Sequence, residues 1–188
     1  MTNAKLLEIK EISDVEITNL ESCIVYHFAV EDAVNKIRAG GLRPFEEINP
    51  DYNIDPYRKE VDEFLDRYAP DGFSRTKCIY AWVNIEDSGP KRQQGTIPLA
   101  VRVNPKKVLV LDQECFDALV ERFAAQEYVR LEEAERMAKR YWDSALTLED
   151  YLKLAPEERK ARFAVPEVLI PKPAPSEFIE FPDIRKAG

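Results

Sequence analysis

The stretch CIVYHFAVEDAVNKIRAGGLRP, Cys23 to Pro44, predicts a strand, a helix and a turn in close succession. Segment 23–30 is rich in β-branched and aromatic residues, which favours a strand. Acidic residues then open an amphipathic segment, 31–41, that closes on a glycine pair, as helices often do. The stretch also holds His27, the only histidine among 188 residues. His27 is therefore either a hydrogen-bonded core residue or a residue that a strand carries into a ligand cleft.

Strand patterns recur on both sides of a helical middle region. Residues with strand propensity, several in alternating order, predict strands at 77–84, 97–103, 106–112, 165–171 and 176–181. In 77–84, Cys78, Tyr80 and Trp82 should share one face, because successive strand side chains point to opposite sides. The early segments KLLEIKEI and DVEITNL are compatible with either strand or helix.

Two further helices are predicted from their spacing and caps. Segment 56–68 has proline at its first position and Asp55 as N-cap, within a proline- and aspartate-rich loop that spans 46–71. An apolar stripe at helical period predicts a long helix from Asp112 to about Tyr151, with a break near 143–147. The interpretation is an α+β fold with mostly antiparallel sheets, in a single domain spanning residues 1–188.

Composition narrows the classes of function. The net charge of −8 disfavours binding to duplex nucleic acid, which requires clustered Lys and Arg. No apolar run approaches the roughly 20 residues that a membrane span needs, and the start of the chain lacks a signal-peptide pattern. We therefore expect a cytoplasmic protein without membrane contact.

The cysteines do not suggest a disulfide framework or a zinc site. Cys23, Cys78 and Cys115 are widely spaced and odd in number, and each lies in apolar sequence. They are predicted to be buried thiols. Cys78 is a weak candidate nucleophile, because the only histidine is distant in sequence.

Three polar residues stand within apolar strands: His27, Tyr80 and Glu167. A buried carboxylate without compensation costs several kcal/mol, so Glu167 requires either a partner or a chemical task. The alternative explanations are structural: a core histidine, a core tyrosine, and a glutamate paired with an arginine.

The order of these residues resembles ADP-ribosyltransferase-like folds. YHFAVEDAVNKIRAGGLRP is similar to the family's opening strand and helix with its following GL turn, and SRTKCIYAWVN is similar to the next core strand. PEVLIPKPAPSEFIEF resembles the closing segment of DNA-targeting ADP-ribosyltransferase toxins, where a glutamate precedes an apolar run and a proline-rich link. The RNA 2'-phosphotransferase branch shares the first unit but has histidine where this chain has Tyr80.

The resemblance implies two small sheets that form an NAD-binding cleft with flanking helices. Glu167 would be the catalytic residue that stabilises positive charge on the ribose as the nicotinamide bond breaks. His27 would bind a ribose hydroxyl, Tyr80 would stack on nicotinamide, and Arg75 would contact the pyrophosphate. Phe28 stands where many members have glycine, at the position that clasps the nicotinamide amide.

The implied activity is that of an NAD-dependent ADP-ribosyltransferase or NAD glycohydrolase. The acceptor could be a protein, a small molecule or a nucleotide, and a protein partner such as an antitoxin is compatible with the acidic charge. Arg43 is a second candidate for the pyrophosphate, and Arg75 could instead form a surface salt bridge. The competing interpretation is a non-catalytic partner-binding or accessory protein on an α+β fold.

Overall fold

The computed structural model describes residues 22–44, 56–89, 94–125 and 131–182. The ambiguous segments between residues 5 and 20, and the predicted cap Asp55, lie outside these ranges. The strands are β1 (Cys23–Ala29), β2 (Ile79–Trp82), β3 (Ile97–Val103), β4 (Leu109–Asp112), β5 (Leu146–Thr147), β6 (Pro166–Ile170) and β7 (Ile179–Glu180). The helices are α1 (Glu31–Gly40), α2 (Pro56–Asp66), α3 (Gln113–Ala124), α4 (Leu131–Asp143), α5 (Leu148–Lys153) and α6 (Pro156–Arg162).

The strands form one antiparallel sheet in the order β5-β4-β6-β2-β1-β3-β7. The α+β class is thus as predicted, but the prediction of two sheets is not confirmed. The reason is the central contact between β1 and β2, where Tyr26 pairs with Trp82 and joins the two halves. This junction has a single registered pair, whereas β1 and β3 are paired along their full lengths.

The first face of the sheet packs against α1 and α5. Val34 and Ile37 of α1, together with Leu148 and Tyr151 of α5, contribute buried side chains to this core. The first face draws on almost the whole width of the sheet, with residues from β1, β2, β3, β4, β6 and β7. It is the larger of the two apolar layers.

The second face packs against α2, α3 and α4 over only part of its width. Its core joins Leu111 and Leu169 of the strands, and Cys78 directly before β2, to apolar side chains of these three helices. The predicted alternation along β2 is confirmed, since Tyr80 packs on the second face and Ala81 on the first. The buried ionic residues described below belong to this helix-covered part.

Two of the three predicted helices are confirmed, and the long third one is not. Segment 31–40 is α1, and the helix predicted for 56–68 is α2, which ends at Asp66. The predicted long helix from Asp112 is instead divided: α3 ends at Ala124, α4 ends at Asp143, and β5 occupies the predicted break. None of these described helices is both long enough and apolar enough to cross a membrane.

The opening and closing motifs of the chain are joined by backbone hydrogen bonds. Leu42 and Ala174 exchange two bonds, each of 2.8 Å between nitrogen and oxygen. Gly41 before this bridge has a φ of 77°, and a Cβ there would lie 2.6 Å from the Ala174 carbonyl oxygen. Glycine is therefore required both for the backbone angle and for the close approach.

Candidate functional site

Glu167 lies at the centre of the sheet, near the start of β6. It pairs with Trp82 of β2 on one side and with Leu111 of β4 on the other. Its side chain is 2% exposed. A carboxylate at such a position must be compensated, because burial removes it from water.

Arg75 provides that compensation. Its Nη1 donates to Oε2 of Glu167 at 2.6 Å, and Arg75 is itself 2% exposed. The hydroxyl oxygen of Tyr141 accepts a further bond from the same Nη1. Tyr141 Oη in turn donates to Oε2 of Glu167 at 3.4 Å. The three side chains thus form one buried hydrogen-bonded group.

Two aspartates of α2, Asp62 and Asp66, also bind Arg75. Asp62 Oδ1 accepts from Nε of Arg75 at 2.6 Å. Asp66, one helical turn later, accepts from the Arg75 backbone nitrogen at 2.5 Å and from the hydroxyls of Ser74 and Thr76. Asp62 therefore fixes the guanidinium, while Asp66 fixes the short 3₁₀ turn, Arg75–Lys77, that carries it.

Aromatic rings surround the guanidinium. Its carbon atom lies 4.0 Å from the ring centre of Phe116, 4.9 Å from that of Tyr80 and 5.1 Å from that of Tyr141. Cation–π attraction at such distances partly replaces the lost hydration of Arg75. Tyr80 Oη also donates to the Arg75 carbonyl oxygen at 2.6 Å.

His27 is attached to this group through the backbone of Tyr80. Its Nδ1 lies 2.8 Å from the Tyr80 carbonyl oxygen. Because a carbonyl can only accept, Nδ1 carries the proton and Nε2 of a neutral ring is left as an acceptor. Alternation along β1 puts His27 on the first face with Val25 and Ala29, opposite the side chain of Tyr80.

Phe28 and Arg43, the other two residues predicted to contact NAD, lie at two different places in the fold. Phe28 lies on the second face and meets Trp82 edge to face, with ring centres 5.6 Å apart. Trp82 is the residue that pairs with Glu167 in the sheet, so Phe28 is two strands away from the glutamate. Arg43 is exposed, directly after Leu42.

Burial shifts the proton affinities of the group. Burial raises the pKa of Asp62, although Arg75 opposes the shift. Burial also raises the pKa of Tyr80 and of Tyr141 well above the usual value. Burial lowers the pKa of His27, so its imidazole is neutral at neutral pH, against a smaller opposing effect of the bond to Tyr80. Burial disfavours the charge of Arg75, but Glu167 and the other anionic partners raise its pKa.

Three polar atoms of this group make no hydrogen bond to any residue that the structure describes. They are Nε2 of His27, Nη2 of Arg75 and Oε1 of Glu167. Such atoms are where a ligand or water would bond.

The predicted residues are thus brought together in part. Tyr80, Arg75 and Glu167 form one cluster, and His27 reaches it through a backbone bond. The guanidinium of Arg75 binds Glu167 and Asp62, so Glu167 has the arginine partner that was its structural alternative. Arg75 is buried, however, and not in the surface salt bridge that was its own alternative. Its contact with a pyrophosphate stays a prediction. Cys78 is 1% exposed and packs in the second-face core, as expected of a buried thiol.

Three residues of the cluster were not predicted: Asp62, Asp66 and Tyr141. The spacing of Asp62 and Asp66 by four residues, on the face of α2 that also carries Val61 and Leu65, was an available signal. Tyr141 was assigned only to the apolar stripe. In the described part of the chain, no group of three or more His, Cys, Asp or Glu side chains could hold a metal ion.

Comparison with known proteins adds no family assignment. The chain matches no protein-family model, no curated protein and no solved structure.

Proposed function

We propose that this protein is an NAD-dependent ADP-ribosyltransferase, or an NAD glycohydrolase when water is the acceptor. The observation that carries the proposal is a continuous path of contacts from His27 through Tyr80 and Arg75 to Glu167. The path crosses the three adjacent strands β1, β2 and β6, and its members leave Nε2, Nη2 and Oε1 without hydrogen bonds to described residues.

The roles follow from the chemistry of the glycosyl bond. Transfer breaks the bond between nicotinamide and ribose C1′, and the ribose becomes positively charged as nicotinamide leaves with the bonding pair. Oε1 of Glu167 would stabilise that charge and accept from a ribose hydroxyl. His27 lies on the opposite face of the sheet, so it would act on the site through its bond to the Tyr80 backbone and not by binding the same ribose. Nη2 of Arg75 would bind an anionic oxygen of the dinucleotide.

The junction of β1 and β2, registered only at Tyr26 and Trp82, would be the cleft between two half-sheets. Glu167 is 2% exposed, so entry of NAD requires its pair with Arg75 to open. The aromatic rings around Arg75 would keep water from the reacting carbon.

The proposal is tested by separating binding from turnover. Wild-type protein should bind NAD in calorimetry at about millimolar concentration or below and should release nicotinamide. Glu167→Gln keeps a carbonyl acceptor for Arg75, so it should retain binding while turnover falls by on the order of 10²–10³. Glu177→Gln, at an exposed glutamate, is the matched control and should change neither.

A second candidate function is favoured by the burial of Glu167. A glutamate held by Arg75 and Tyr141 has a partner and needs no catalytic task. The competing function is then a non-catalytic partner-binding protein, in which the cluster only supports the core. Intact, folded wild-type protein that shows no NAD binding at millimolar concentration would favour this candidate over the transferase.

A further inference from the structure

Arg75 is shared between two carboxylates that come from different parts of the fold. Asp62 of α2 takes Nε at 2.6 Å, and Glu167 of β6 takes Nη1 at 2.6 Å. The two carboxylates use different edges of the planar guanidinium, so either contact can break while the other remains. Asp62 and Glu167 are 5% and 2% exposed, which makes both contacts buried.

We propose that Asp62 is a positioning residue that retains Arg75 when Glu167 leaves the guanidinium to meet the substrate ribose. This inference rests on the proposed function and assigns a role within the same site. Without Asp62, release of Glu167 would leave the buried guanidinium with no carboxylate beside it until the anionic oxygen of the dinucleotide is in place, a state that costs several kcal/mol. With Asp62 in place, the charge of Arg75 stays compensated throughout.

The anchoring of α2 supports this role. Asp66 binds the backbone nitrogen of Arg75 and the hydroxyls of Ser74 and Thr76, so the 3₁₀ turn is tied to the same helix as Asp62. Trp142 Nε1 donates to the Leu65 carbonyl oxygen at 2.8 Å, which fixes α2 to α4. Asp62 therefore projects from a helix that is fixed to α4 and also holds the turn that carries Arg75.

The test is the NMR signal of the Arg75 Nε–H group, assigned by its loss in Arg75→Lys. In wild-type protein without NAD, the bond to Asp62 should protect this proton from exchange with solvent. At saturating NAD the protected signal should persist in wild-type protein. Its disappearance in a protein that binds NAD would overturn the inference and leave the proposed function standing.

Affinity gives a second readout. Asp62→Asn keeps an oxygen acceptor but removes the charge, so NAD affinity should fall by about tenfold or more, the cost of about 1.4 kcal/mol or more. Glu63→Gln, an exposed neighbour on α2, should leave affinity unchanged. Wild-type affinity in Asp62→Asn would also overturn the inference. Failure of wild-type protein to bind NAD would instead overturn the proposed function.

Discussion

Arg75 is the residue on which the candidate site depends, because it is the cation for two buried carboxylates. Glu167 was predicted to need a partner, and that expectation followed from the cost of burying its charge. The identity of the partner could not be predicted, since Arg75 and Glu167 are 92 positions apart in sequence. Only the pairing of β2 with β6 brings them together.

Replacement of Arg75 should be strongly destabilising. Arg75→Met leaves Asp62 and Glu167 buried without a cation, so the free energy of unfolding should fall by about 3–5 kcal/mol. Urea denaturation measures this loss. Arg102→Met is the control, because its 3.5 Å pair with Glu180 is exposed and should contribute less than about 1 kcal/mol. Similar losses in the two variants would contradict the assignment.

The raised pKa of Asp62 predicts a pH dependence with a definite sign. The folded protein binds the Asp62 proton more tightly than the unfolded chain does, where the pKa is about 3.9. This tighter binding stabilises the folded protein fully at a pH below the pKa of Asp62 in the unfolded chain. The stabilisation is lost as the pH rises through the higher pKa of Asp62 in the folded protein. Asp62→Asn cannot titrate, so its stability relative to wild type should improve as pH rises.

Urea denaturation of both proteins between about pH 4 and pH 8 checks this prediction. The groups that act on Asp62 are Arg75, Glu167 and Arg58, together with the hydroxyl of Tyr80. All of them remain in Asp62→Asn, so the difference between the curves isolates Asp62. If the stability of wild type relative to Asp62→Asn instead increases as the pH rises, the prediction is wrong.

Cys78 should be chemically inert in the folded protein. Burial raises its pKa to about 11, and the thiolate is the reactive form. A disulfide reagent at neutral pH should therefore label Cys78 only after denaturation, and the partly exposed Cys115 should react first. Mass spectrometry of the labelled peptides distinguishes them. Rapid labelling of Cys78 in native protein would show that the second-face core opens.

Among the helices and strands, those that the local sequence determines were predicted well, and those that depend on tertiary contacts were missed. The strand and helix of residues 23–40 were predicted closely, because propensity, an apolar stripe and a glycine stop agree there. Helix α6 was missed, since PEERKAR buries none of its side chains and therefore has no apolar stripe. The two-residue β5 was missed as well, because so short a strand exists only through its pairing with β4.

The turn after α1 is a point where one methyl group should matter. Gly41→Ala should destabilise the fold by about 1–3 kcal/mol or more, since φ is positive and the new Cβ would lie 2.6 Å from the Ala174 oxygen. Gly72→Ala is the matched control, with a φ of 84° and no atom within 4 Å of its Cβ. Thermal unfolding should show the larger loss in Gly41→Ala, and equal losses would show that the bridge to Ala174 is not required.

At the scale of the whole molecule, the order of strands joins distant parts of the chain. The α+β class could be predicted from composition and pattern. The single sheet could not, because it depends on β6 lying between β4 and β2 and on the one registered pair between β1 and β2. For the same reason the sequence could order His27, Tyr80 and Glu167 but could not predict that His27 faces the opposite side of the sheet.

The central claim is that Glu167 meets the nicotinamide ribose of NAD, with Arg75 held by Asp62. A crystal structure of the protein with NAD tests it most directly. We expect Oε1 of Glu167 within hydrogen-bonding distance of the nicotinamide ribose, with Arg75 still bound to Asp62. A bound NAD elsewhere on the molecule, with the pair of Arg75 and Glu167 intact, would contradict the account.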